Sequence, residues 1–262
     1  MSTAEALAVP LGLIAGLAAT LFGGAGLGAL AQMGLRALGV GPIGAIATSL
    51  TVIFPSALLS TARYRGSGLV RRDAVLTVGA AGLPFAVGAA LLTDQVPGSG
   101  HGQQLLIAAL LIVGSSRMLW SARAAAVPEH HPSRAVPHRT RRRRLIGTGL
   151  VAGTLSGALG LSGGIVIVPA LSEFAGFSAR QAVATSTLIV ALLAFPSAIT
   201  HGFLGHIDWV LAGLLAVGVV PGVVIGSSIT LRAHDRTVRQ IFGGALLVLG
   251  LVYAIGEFVA LT

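Results

Sequence analysis

Residues 145–171 read LIGTGLVAGTLSGALGLSGGIVIVPAL, 27 residues without a charge. An α-helix rises 1.5 Å per residue, so about 20 apolar residues cross the ~30 Å hydrocarbon core of a bilayer. This run is longer than one crossing needs. Glycines interrupt it at Gly160, Gly163 and Gly164, and Pro169 follows. The reading is a membrane segment that breaks on the way, either a broken helix or a crossing plus a short re-entrant piece.

Seven similar runs flank it: Ala6–Leu35, Ala45–Ala62, Ala74–Leu92, Gln104–Trp120, Ala182–Leu204, Trp209–Leu231 and Val238–Leu261. The first is also long and glycine-broken. Only 10% of the residues are charged and 54% are hydrophobic, with a mean hydropathy of +0.90. So few charges cannot cover a soluble surface. Backbone groups in hydrocarbon need internal partners, so the runs are expected to be helices. The short alternating segments of a β-barrel do not occur. The fold class expected is all-α: a polytopic helical membrane protein of about eight spans, in two four-span halves. The run from Ala6 reads as a span of the mature chain and not as a cleaved signal. With no cysteine, thiolate metal sites and disulfides are excluded. There is no Walker A sequence for ATP hydrolysis.

The net charge is +9 and the isoelectric point about 11.7. The basic residues lie between apolar spans, so the positive-inside rule explains them and nucleic acid is not an expected partner. All 17 are arginine. If eight spans alternate, Arg63, Arg65, Arg71, Arg72, Arg117, Arg123, Arg134, Arg139 and Arg141 to Arg144 share one side. That side is then cytoplasmic, with both termini on it. Arg36, Arg180, Arg232, Arg236 and Arg239 fall on the other side and disagree. The division expected is a repeat over residues 1–123, a cytoplasmic linker over 124–144 and a second repeat over 145–262. The linker's His130, His131 and His138 lack acidic partners and read as a solvated loop, with no metal. Its arginines suit contact with anionic lipid.

The halves repeat each other at a constant offset. Gly12-Leu13-Ile14-Ala15-Gly16 returns as Gly149-Leu150-Val151-Ala152-Gly153, and Gly23 and Gly26 return as Gly160 and Gly163. Ala45-Ile46-Ala47-Thr48-Ser49 returns as Ala182-Val183-Ala184-Thr185-Ser186. After a short gap, Phe54-Pro55-Ser56-Ala57 returns as Phe195-Pro196-Ser197-Ala198. Four spans per half make the repeats parallel; an odd extra crossing in each first segment makes them inverted.

The duplicated breaks are the candidate site. A broken helix exposes N–H groups at a half-helix N-terminus, whose partial positive charge suits an anion. The bland reading is close helix packing through small residues; two breaks at matching positions favour substrate lining. The candidates are Gly24, Ala25 and Gly26 in the first break, and Ser162, Gly163 and Gly164 in the second. Thr48, Ser49, Thr185 and Ser186 offer hydroxyls to a polar solute, or bond back to their own helices. His201, near the arginine-bearing end of the sixth span, is a proton sensor, a substrate contact or an interfacial residue. No acidic side chain sits clearly at mid-span, which disfavours cation transport. An enzyme reading rests on Gly160-Leu161-Ser162-Gly163 with His201, the serine–histidine pair of an intramembrane protease. The pattern is short, and the first half lacks the serine. A non-transporting scaffold is the remaining alternative.

The glycine-rich stretch ending in Pro169, the Ala-Thr-Ser element and Gly205-His206-Ile207-Asp208-Trp209 together resemble the TauE/SafE family, described as sulfite or organosulfonate exporters. The second half is the closer match, and Gln32 stands in the first half where the second has Pro169. The resemblance implies a multi-pass transporter of the bacterial inner membrane. Its partners would be a small sulfur-containing anion and the lipid bilayer, with no cofactor. Homo-oligomerisation is left open.

Overall fold

A computed structural model describes residues 3–92, 108–109, 111–116, 138–159 and 163–261, and every regular element among them is helical. The helices are α1 (Thr3–Leu21), α2 (Ala25–Ala37), α3 (Pro42–Tyr64) and α4 (Arg72–Leu92). After helical residues 111–116 come α5 (His138–Leu159) and α6 (Gly164–Pro169), which runs on as a wide turn over Ala170–Phe174. Then follow α7 (Ala179–Phe203), α8 (Trp209–Arg232) and α9 (Asp235–Leu261). Among the described residues, five helices are long and apolar enough to cross a membrane: α3, α4, α7, α8 and α9.

The first apolar segment does not cross once. It doubles back as a hairpin of α1 and α2. A Cβ on Gly26 would meet Ala18 and Phe22, and one on Gly34 would meet Leu11, so α2 retraces α1. The turn needs left-handed backbone, supplied by Gly23 (φ 56°) and Gly24 (φ 88°). The fifth segment behaves alike. Gly163 (φ 64°) lies against Ala152, and further out the Arg144 guanidinium donates to the Phe174 carbonyl at 2.8 Å. α6 therefore retraces α5.

These hairpins overturn the simple alternation of eight spans. α3 and α7 run antiparallel across the centre. Phe54 stacks on Phe195 with ring centroids 4.8 Å apart, and Thr61 lies 3.4 Å from Thr187, so advancing along α3 means retreating along α7. α1 runs parallel to α8, with Gly12 and Gly16 against Leu215 and Val219. α4 runs parallel to α5, with Gly149, Gly153 and Gly157 against Val78, Gly82 and Ala86. Glycines on both partners let the backbones approach closely. Of the two arrangements the repeat allows, the antiparallel α3–α7 pair is the inverted one.

The arginines then fall into place. Arg180, Arg232, Arg236 and Arg239 lie at the same end as Arg63 to Arg72 and Arg139 to Arg144. Asp235 accepts from the backbone N–H groups of Ala179 and Arg180, both at 2.9 Å, and so joins α9 to the start of α7. Arg141 donates to Asp73 at 3.0 Å, joining α5 to the start of α4, and Arg239 pairs with Glu173 at 3.4 Å. Of the 14 arginines with described side chains, Arg36 alone sits at the opposite end. The shared side expected for the amino terminus and the linker is corrected too. α1 starts at the Arg36 end, whereas Arg139 and its neighbours open α5 at the other. Linker residues 124–137 lie outside the described residues.

Candidate functional site

The two hairpin tips cross near the middle of the α3–α7 pair. Gly23 lies against Val168 of α6 and Ser186 of α7, and Gly24 against Val190. The Ser186 hydroxyl is shared between the carbonyls of Gly23, at 2.8 Å, and Val183, at 2.9 Å. In the reverse direction, Gln32 of α2 donates to the carbonyl of Leu159, where α5 ends, at 3.0 Å. Each tip thus rests on the returning helix of the other hairpin.

Both returning helices begin without a side-chain cap. α2 starts after Gly24 and α6 after Gly163, each in left-handed conformation with no side-chain cap hydrogen bond, and the Gly24 N–H donates to the Ala19 carbonyl at 2.6 Å. The first N–H groups of a helix have no intrahelical partner, and the end carries a partial positive charge. The backbone of Ala25 and Gly26 forms the first turn of α2, and Gly164 that of α6. Ser162, with Gly160 and Leu161, lies outside the described residues.

The four hydroxyls are fully buried, and they do not converge. Ser49 donates to Ile46 within its own helix at 2.8 Å. Thr48 accepts from the backbone N–H of Asp208 at 3.1 Å, at the start of α8. Thr185 accepts from the backbone N–H of Arg71 at 3.1 Å, at the start of α4. Because α3 and α7 are antiparallel, these two links lie toward opposite ends. By the register of the Phe54–Phe195 and Thr61–Thr187 contacts, Ser49 and Ser186 are left roughly two turns either side of the middle, at 1.5 Å rise per residue.

His201 is buried at the end of α7, with its Nδ1 3.3 Å from Nδ1 of His206. This end is opposite the arginines, not beside them as the alternating topology expected. A cavity of about 400 Å³ opens nearby between α3 and α7, lined by Thr51, Phe54, Phe195, Gly202, Ile207 and Trp209 among others. It is largely apolar, and none of the candidate residues lines it.

Gln32, His206 and Asp208 entered the sequence reading only through the family resemblance, with no role given, and Tyr64 and Tyr253 escaped it. The tyrosines donate to the Thr20 carbonyl at 3.0 Å and the Ala29 carbonyl at 2.9 Å, bracing both arms of the first hairpin. A lone polar side chain inside an apolar run was the available signal, because such a group must find a partner in hydrocarbon.

The sequence matches the family described as "Sulfite exporter TauE/SafE" over residues 8–253. It is 27% identical over 216 residues to "Probable membrane transporter protein MJ0441" of Methanocaldococcus jannaschii, covering 79% of this chain and 77% of that one. It is 31% identical over 105 residues to "Probable membrane transporter protein YunE" of Bacillus subtilis, covering 40% of this chain and 38% of that one. A second B. subtilis protein, "Probable membrane transporter protein YjnA", is 30% identical over 116 residues, 44% of this chain and 46% of that one. The matched stretch thus spans less than half the length of each B. subtilis relative. No solved structure matches the chain. The family and these relatives are membrane transporters and not enzymes, which removes the protease reading of Ser162 and His201. A match from residue 8 to residue 253, on a helical multi-pass membrane fold, makes the chain a member of the sulfite exporter TauE/SafE family of membrane transporters.

Proposed function

We propose that the chain is a secondary carrier that exports a small sulfur-containing anion, such as sulfite or an organosulfonate, across the bacterial inner membrane. One observation carries this reading: two crossed hairpins, each returning through a left-handed glycine into a helix with no side-chain cap. Such ends suit the oxygens of an anion. The Gly24 N–H is already given to the Ala19 carbonyl at 2.6 Å, so the N–H groups of Ala25 and Gly26, and of Ser162, Gly163 and Gly164, would hold the substrate. Ser49 and Ser186 are the nearest hydroxyls, and Thr48 and Thr185 flank the path on either side.

The chain divides into inverted repeats over residues 1–123 and 145–262, joined by the linker expected over 124–144, whose residues from His138 onward are helical and open α5 instead of forming a loop. The glycine-tight pairs α1–α8 and α4–α5 each mix the two repeats, so they move as units. Alternating access is a rocking of one pair against the other about α3 and α7. The arginine end faces the cytoplasm, because arginine-rich short loops are expensive to translocate. The test is flux of labelled sulfite or a sulfonate through purified protein in liposomes. The wild type should move one of them, and Gly163→Leu and Ser186→Ala should slow it. Wild-type protein that moves neither anion overturns the reading. Flux unchanged in both variants overturns the site.

A further inference from the structure

We propose that His201 and His206 form a proton-binding site that controls the end of the protein opposite the arginines. The gating part of this proposal rests on the transport reading above; the proton site does not.

The two Nδ1 atoms stand 3.3 Å apart. One hydrogen fits between them, so one ring donates and the other accepts. A first added proton charges one ring and still leaves one hydrogen between the Nδ1 atoms, because the neutral ring can carry its own hydrogen on Nε2. A second proton puts an N–H on both Nδ1 atoms, so two donors face each other and two positive rings share one small volume. The observed contact is therefore available to the pair with one Nδ1 hydrogen and is lost when both rings are charged. Imidazole is the side chain whose charge changes in the neutral range. The proton comes from solvent at this end and returns to it, with no other bond made or broken.

The pair sits where its loss has a mechanical effect. His201 is in the last turn of α7, and His206 is in the short connection to α8. The backbone N–H of His206 donates to the His201 carbonyl at 3.1 Å, and Gly205 (φ 72°) makes the turn between them. Two residues later, Asp208 donates its N–H to Thr48. The histidine contact and the Thr48 link thus hold the same connection. Gly202, Phe203 and Ile207 of this turn also line the cavity between α3 and α7, so displacing the turn enlarges an existing opening.

The opposite end lacks the device. Arg71 donates to Thr185 there, and at the repeat offset that pairs Asp208 with Arg71, His206 is matched by Leu69. Two equivalent links, one with an imidazole pair and one without, let a proton act on a single face.

Among the described residues, few other charges face the pair. α3 from Pro42 to Ala62, α7 from Gln181 to Thr200 and α8 from Trp209 to Leu231 carry no titratable side chain. The Asp208 carboxylate is taken up by the N–H groups of Val210 and Leu211, at 3.1 and 3.0 Å. Glu5 on α1 and Arg36 on α2 are the other charged groups at this end among the described side chains. The described charges of α4, α5, α9 and the Ala170–Phe174 turn are all at the arginine end.

Two measurements test this. In protein with isotope-labelled histidine rings, His201 and His206 should titrate in two coupled steps, and His206→Gln should leave His201 with a single one. Independent single-step titration of both rings in the wild type overturns the site whether or not the protein transports. In liposomes, acidifying the His206 side from about pH 7.5 to about pH 5.5 should change wild-type anion flux by about threefold or more. His201→Gln and His206→Gln should flatten that response. A wild-type pH response in both variants overturns the gating role. Absence of wild-type flux overturns the transport reading instead and leaves the ring titration to decide the pair.

Discussion

Thr48 on α3 accepts the backbone N–H of Asp208 at 3.1 Å, and Thr185 on α7 accepts that of Arg71 at the same distance. Each threonine ties a central helix to the start of a helix from the other repeat. Thr185→Val keeps the shape and removes the acceptor, leaving the Arg71 N–H without its partner. The expected loss is about 1–2 kcal/mol of stability, with Thr185→Ser close to wild type. Thermal unfolding in detergent reads this out. Valine as stable as wild type at both Thr48 and Thr185 would show that these bonds do not brace the fold.

Gly23 and Gly39 separate backbone strain from packing. Both have positive φ, 56° and 88°, but a Cβ on Gly39 meets nothing within 4 Å. One on Gly23 meets the Ser186 hydroxyl and Val168. Gly39→Ala should cost only the left-handed penalty, about 1–2 kcal/mol. Gly23→Ala should cost clearly more, and Ser186→Ala should recover part of the difference. Equal losses at the two glycines would contradict the crossed tips.

Gln32 is 1% exposed and donates to Leu159 across the two hairpins. Gln32→Leu preserves bulk and strands that carbonyl in an apolar setting. A destabilisation of about 1–3 kcal/mol is expected, with Gln32→Asn failing to rescue because it is one methylene short. A neutral Gln32→Leu would mean the carbonyl finds another donor.

Orientation can be measured directly, since the chain has no cysteine. Ser67 lies in the exposed α3–α4 connection at the arginine end, and Leu204 is 44% exposed at the other. In intact cells an impermeant thiol reagent should label Leu204→Cys and spare Ser67→Cys. The reverse pattern would invert the protein in the membrane. Labelling at both positions would contradict their placement at opposite ends.

Hydrophobicity and glycine are local properties, so much of the fold was legible in the chain. The apolar segments among the described residues are helical, and the breaks at Gly23 and Gly163 are found where the chain turns back. The doubling back of residues 6–35 and 145–171 was not legible, because runs of that length also suit a tilted crossing. What decides it is tertiary: Gly26 and Gly34 fit against α1, and Arg144 reaches Phe174. A trace was present nonetheless. Arg180, Arg232, Arg236 and Arg239 broke the charge rule under eight alternating spans, and the hairpins remove the conflict. At the site, the hydroxyls were identified but not their partners, since Thr48 meets Asp208 160 residues away. His206 entered only as part of the Gly205–Trp209 motif, because a loop histidine gains a role only from what faces it.

The parallel packing of α1 on α8 also sets an order of birth. The glycine face of α4 meets α5 after about 70 more residues have been made, but Gly16 waits for Val219, about 200 residues downstream. At roughly 5–20 residues per second, that is about 10–40 s of synthesis. During that interval α1 stands in the membrane with α2 folded against it and its glycine face uncovered. α1, made before the other described helices, is thus among the last of them to be seated. A ribosome that stops before α8 leaves behind a fragment whose hairpin has formed and whose docking face has no counterpart.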